Sequence, residues 1–163
     1  MTKFAEITAA LAPLFAEFDA KVAEDARAWG LARAAAVRDF KASDEGRALA
    51  RDQYAYYGRL FLIAGGKTWY GVFNGRNDAM ISDFMDANTA RTIEKRNATI
   101  AAKLEKAGIS EIVSTELSRT SDGFNGRFVV NTDKGRKVVT IDTIYAGGYN
   151  IQCLHLRVLV RVK

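Results

Sequence analysis

Apolar residues in the first part of the chain recur at steps of three and four. Phe4, Ile7, Leu11, Leu14, Phe18 and Val22 form one stripe, continued by Ala26 and Trp29. Glu6, Glu17, Asp19, Lys21, Glu24, Asp25 and Arg27 fall mostly on the other side. That spacing predicts helix through about the first forty residues. Pro13 interrupts it, because proline removes a backbone donor, so a kink or a fresh helix start is expected there. Ser43 before Asp44 and Glu45 reads as an N-cap with acids in the first turn. The helix it opens would carry Leu49, Tyr54 and Tyr57 and stop near Gly58. The runs "RLFLIA" and "TWYGVF" then read as two strands joined by a turn at Gly65-Gly66-Lys67. Helical spacing returns from Asp78 through Met80, Ile81, Phe84, Met85, Ile93, Ile100 and Leu104, with Asn88 a candidate break. Gly108 is placed to end this stretch as a C-cap, with Lys103 and Lys106 in the last turn.

Beyond Gly108 the period changes to two. "EIVSTELSR", "GRFVVNT", "RKVVTIDTIY" and "YNIQCLHLRVLVRV" are rich in β-branched residues and separated by turn sequences. The turns are at 121–126, at Asp133-Lys134-Gly135 and at Ala146-Gly147-Gly148. Connections this short require antiparallel neighbours, which makes a meander. In the last strand Leu154, Leu156, Val158, Val160 and Val162 share one parity and are expected to face the core, as are Phe128, Val130, Val139 and Ile141. Cys153, His155, Arg157, Leu159, Arg161 and Lys163 take the other parity, together with Arg127, Val129, Asn131, Arg136, Val138, Thr140 and Asp142. The fold class is therefore α+β: N-terminal helices followed by a mainly antiparallel β-meander with helices packed on one face. Residues 1–42 read as an N-terminal helical segment and 43–163 as the α+β domain, the two forming one compact unit together.

Charge sharpens this picture. The chain has 24 basic and 19 acidic residues, a net +5. Residues 1–118 carry 16 of each sign, so the whole excess falls in 119–163. There Arg119, Arg127, Lys134, Arg136, Lys137, Arg157, Arg161 and Lys163 oppose Asp122, Asp133 and Asp142. An uneven excess of this kind suits an anionic partner. Hydrophobic content of 48% with 26% charged residues is that of a folded globular chain rather than a disordered one. No apolar run approaches the ~20 residues needed to cross a bilayer. The opening residues lack a basic leader followed by an apolar core, so a cytoplasmic setting is expected, without membrane attachment.

Two motifs invite chemistry and neither supports it. Gly66-Lys67-Thr68 ends like a phosphate-binding loop, but Phe61 stands where that eight-residue motif requires its first glycine. The aromatic, β-prone "WYGVFNG" that follows also argues against the helix such a loop needs. Cys153 is the single cysteine and His155 the single histidine. Two apart in a strand, they point the same way with roughly 6–7 Å between Cβ atoms, too far for a preformed nucleophile–base pair. With Glu116 or Asp142 they make only a weak ligand set. No catalytic residue, metal site or cofactor is expected.

These readings favour a small, non-enzymatic binding protein that contacts nucleic acid through a basic sheet face. Arg127, Arg136, Arg157 and Arg161 would meet phosphates, Lys137 would join from the strand's start, and His155 would be a nearby polar or stacking contact. The outward positions carry no aromatic ring for base stacking. Phe124, in a loop, and Tyr145 and Tyr149 are the nearest rings. The alternative is a protein-interaction module, or an inhibitor of a larger machine that handles nucleic acid. Its surface would be the basic face or the aromatic cluster "QYAYYGRLF", and an exposed tyrosine there would strengthen it. The N-terminal stripe has two coverings: the domain itself, or a second copy in a homo-oligomer, since Phe4, Leu11 and Phe18 lie seven apart.

Overall fold

A computed structural model describes residues 3–121, 123–145 and 156–163, with side chains for all of these except 3, 4, 144, 145 and 156–160. Five helices precede a sheet: α1 Lys3–Ala42, α2 Asp44–Leu49, α3 Gln53–Ala64, α4 Lys67–Phe73 and α5 Asp78–Lys106. The strands are β1 Ile109–Thr120, β2 Gly123–Thr132, β3 Gly135–Tyr145 and β4 Leu156–Val162. They pair in sequence order, each antiparallel to the next. This is the α+β meander that the change of period announces.

The chain divides into two compact units. One comprises residues 1–22 and 89–163, the other residues 23–88. In the first, Ile7, Leu11 and Phe15 of α1 and Ile100 and Leu104 of α5 join Phe124, Phe128, Val130, Val139 and Ile141 in one buried cluster. Ile7 and Leu11 of the α1 stripe, with Leu14 and Phe18 packed against the same cluster, are thus covered by the chain's own sheet. Phe124 is the exception to its expected place: it lies in β2 rather than a loop. Its buried ring meets Phe15 edge-on at 4.7 Å. Gly126 lets helix and sheet approach, for a Cβ there would sit 3.2 Å from Leu11 Cδ2 and 2.9 Å from the Phe128 ring. Gly108 takes φ 62° and turns the chain from α5 into β1, as a left-handed C-cap does. Gly135, at φ 97°, closes the turn at Asp133-Lys134.

Several expectations need correction. Pro13 lies inside a continuous α1 and so starts no second helix, and α5 runs past Asn88 without a break. The largest change is at 53–73, which is helical rather than a hairpin. "RLFLIA" lies within α3, which continues past Gly58, and "TWYGVF" within α4. Asp52 accepts from Ala55 N at 3.2 Å to start α3. Gly65, at φ 90°, ends it by donating to the Leu62 carbonyl, while Gly66 N donates to Phe61 O. A cap at each end outweighs the β preference of the residues between. A helix does therefore begin at Lys67. It follows a helix rather than a strand, and Phe61 still stands at the glycine position, so the phosphate-loop architecture is not formed. At the far end of the sheet Val162, expected in the core row, is 41% exposed, because it closes the edge strand β4 where the helix cover ends.

The second unit is held by aromatic packing. Trp29 meets Trp69 edge-on at 5.1 Å, and Trp69 stacks on Phe73 at 5.6 Å. Tyr57 touches Tyr56, Phe61 and Tyr70. Burial, with Tyr57 beside it, pushes the Tyr70 hydroxyl above its ordinary pKa. Arg33 ties α1 to α3 through the Ile63 carbonyl at 2.9 Å, and Arg27 chelates Asp86 at 2.9 Å. Among the described residues no helix is long and apolar enough to cross a membrane.

Candidate nucleic-acid interface

Strand register sorts the basic residues by face. Phe128 pairs with Val139, and both are buried, which fixes their side of the sheet as the helix-covered one. Arg127 pairs with Thr140 and Arg136 with Asn131, both on the opposite, outer face. Arg161 continues that face opposite Thr140, and Lys163 exchanges two backbone hydrogen bonds with Val138. For Arg157 only the backbone register is described, opposite Ile144. His155 lies outside the described residues, as do Cys153 and Tyr149.

Lys137 belongs to the other face. It pairs with Val130, a core residue, so its parity carries it to the helix side of the sheet. There it lines an open depression of about 320 Å3 with Lys103, Lys106, Ala107, Thr132, Lys134 and Val162. The site residues proposed from sequence thus divide: Arg127, Arg136 and Arg161 share the outer face, and Lys137 does not join them. Lys103, Lys106 and Lys134 had no place in that set. Lys103 and Lys106 read as ordinary cations in a helix's last turn, and nothing local showed that Lys137 would be brought to them.

The outer face is graded in charge. Its acids belong to the β1 side or are engaged. Glu116 pairs with Arg127 at 3.4 Å, and Glu111 accepts from the Asn131 amide at 2.6 Å. With its amide assigned so that the nitrogen faces the acceptors around it, Asn125 donates to Asp142 Oδ1 at 3.1 Å. Arg136, Arg161 and Lys163 are exposed and make no ion pair with any described residue. No aromatic ring occurs among the described outer positions, since Phe124 is buried in the core. Arg119, counted in the basic excess, pairs instead with Glu17 of α1 at 2.6 Å. The usable positive charge therefore runs along the first half of β3, from Arg136 near the β2–β3 turn to Arg161 opposite Thr140.

In the other unit, Tyr54 is 92% exposed, and Tyr57 and Leu62 are also exposed along α3. Searches of protein-family models, curated proteins and solved structures each give no match to this chain.

Proposed function

We propose that the protein is a non-enzymatic binding protein that holds nucleic acid by its phosphate backbone along the basic stretch of the outer sheet face. One observation carries the reading: Arg136, then Lys163 opposite Val138 and Arg161 opposite Thr140, follow one another on the outer face along the first half of β3 without ion-pair partners among the described residues, while Glu111, Glu116 and Asp142 of the same face are each engaged by a neighbouring side chain. Cations held on a rigid sheet and left unneutralised suit a polyanion. Without rings to stack bases, such a face grips sequence-independently. Fluorescence anisotropy with a labelled single-stranded oligonucleotide tests this. Arg136→Glu with Arg161→Glu should weaken binding by at least tenfold for all base compositions alike. Arg127→Glu should matter less, because Arg127 already serves Glu116. Indifference of the native protein to DNA and RNA at low salt would end the proposal.

A second reading rests on Tyr54. A tyrosine so exposed, beside Tyr57 and Leu62, is the kind of residue that anchors protein interfaces. The protein would then bind a protein partner, including as an inhibitor of a machine that handles nucleic acid. Capture of a defined protein by the native chain but not by Tyr54→Ala, with no binding of nucleic acid, selects this reading.

A further inference from the structure

The lysine-lined depression on the helix side of the sheet has no part in the outer-face reading. Lys103 and Lys106, three apart in the last turn of α5, share one side of that helix. Lys134 comes from the β2–β3 turn and Lys137 from the first residues of β3, on core parity. Four lysine side chains from three segments thus border one concavity, much of whose wall is their aliphatic stems, and no acidic residue is among its lining residues. None of the four makes an ion pair with a described residue. Glu105 lies in the same helical turn but does not line the depression. Asp133 sits on the Gly108 side, where its Oδ1 would be 3.1 Å from a Cβ at Gly108. The helix C-terminus contributes about half a negative charge, a small offset to four cations.

We propose that this depression binds a phosphomonoester. Like charges gathered around one space repel, and an anion placed among them relieves that repulsion. Lysine supplies compact charges with three donors each, which fit the several oxygens of a phosphate from different directions. A monoester carries nearly two charges at neutral pH, a backbone diester only one. The concavity lies at the small end of ligand sites, roughly 300–1,000 Å3. It takes a phosphate and its sugar rather than a strand passing through, with Val162 and Ala107 as the apolar wall beside the sugar. The monoester has two sources, the 5′ end of a nucleic-acid strand or a free nucleotide.

Anisotropy titration of the full chain separates these outcomes. The probes are a short oligonucleotide with a 5′-phosphate, its 5′-hydroxyl twin, adenosine 5′-monophosphate and inorganic phosphate. The phosphorylated strand should bind about tenfold tighter than its twin, given the nearly two extra charges it places among four lysines. Lys106→Gln with Lys137→Gln should abolish that preference. Arg136→Gln with Arg161→Gln should weaken both strands alike and preserve it. Competition by the mononucleotide at similar concentration identifies a free nucleotide as the source, and its failure to compete identifies the strand end. If neither strand binds but the mononucleotide does, in a manner lost in the lysine variant, the outer-face reading fails and the depression stands. Equal affinity for the two strands with no binding of mononucleotide or phosphate overturns the proposal, as does a preference that survives in the lysine variant.

Discussion

Arg96 occupies a position where the stripe of α5 calls for an apolar side chain, in line with Met85, Thr89, Ile100 and Leu104. Its side chain is 3% exposed and meets Asp19 of α1, itself 17% exposed, through two nitrogens, one of them at 2.9 Å. The guanidinium also lies 3.9 Å from the centre of the Phe15 ring and bonds Asn97. A buried cation with its partner removed is heavily penalised, so Asp19→Ala should lower stability by about 3 kcal/mol. Urea denaturation of the variant checks this, and a loss under 1 kcal/mol would show that Arg96 finds water or another acceptor. Thr143 presents the opposite case. It is buried, and its hydroxyl has no hydrogen-bond partner among the described residues. Removing an unpaired buried hydroxyl while keeping the shape is neutral or favourable, so Thr143→Val should leave the midpoint unchanged or raise it, by up to about 1 kcal/mol. Neither role was legible in the sequence. An arginine in the apolar register marks Arg96 as unusual, but only the fold reveals that Asp19 faces it from 77 residues away.

Between helix and sheet the decisive contact is Leu11 over Gly126. Leu11 is fully buried, and the glycine leaves no room for anything larger beneath it. Leu11→Ala should destabilise the fold by about 3 kcal/mol, the transfer and cavity terms together. If the stripe were instead a seam between two copies, the same change would lower the mass seen by light scattering and spare the monomer's stability. The elements themselves were legible wherever one periodicity ran for many residues, as in α1, α5 and the β2 and β3 strands. Residues 53–73 were not. They are short, aromatic and apolar on several sides, so period could not separate helix from strand. The caps that decide the matter, Asp52 and Gly65, were not read as caps, because the Gly65-Gly66 pair also suits a hairpin turn. Lys137 illustrates the same limit within a strand: its parity follows from Val139, yet its neighbours Lys103 and Lys106 come from a helix that ends before the sheet begins.

Across the molecule, part of the excess in 119–163 is joined in three dimensions by two lysines of α5, giving a basic region with two faces. Arg136, Arg161 and Lys163 lie on the outer side, and Lys103, Lys106, Lys134 and Lys137 around the depression on the helix side. Arg119 and Arg127 leave the account through Glu17 and Glu116. The two faces make distinct demands on a nucleic-acid ligand, and salt counts them. Each phosphate neutralised on a single strand releases counterions, with a slope in log K against log salt of about −0.7 per contact. Contact with the three outer cations alone predicts a slope near −2, whereas engagement of all seven predicts one near −5. Titration of a 5′-hydroxyl oligonucleotide over a range of salt concentrations should give the shallower value, because only the outer face tracks the backbone. A 5′-phosphorylated strand should steepen it, and Lys106→Gln with Lys137→Gln should return it to the slope of the hydroxyl strand. A single steep slope for both strands would mean that the backbone wraps the end of the sheet and that the two faces form one continuous surface.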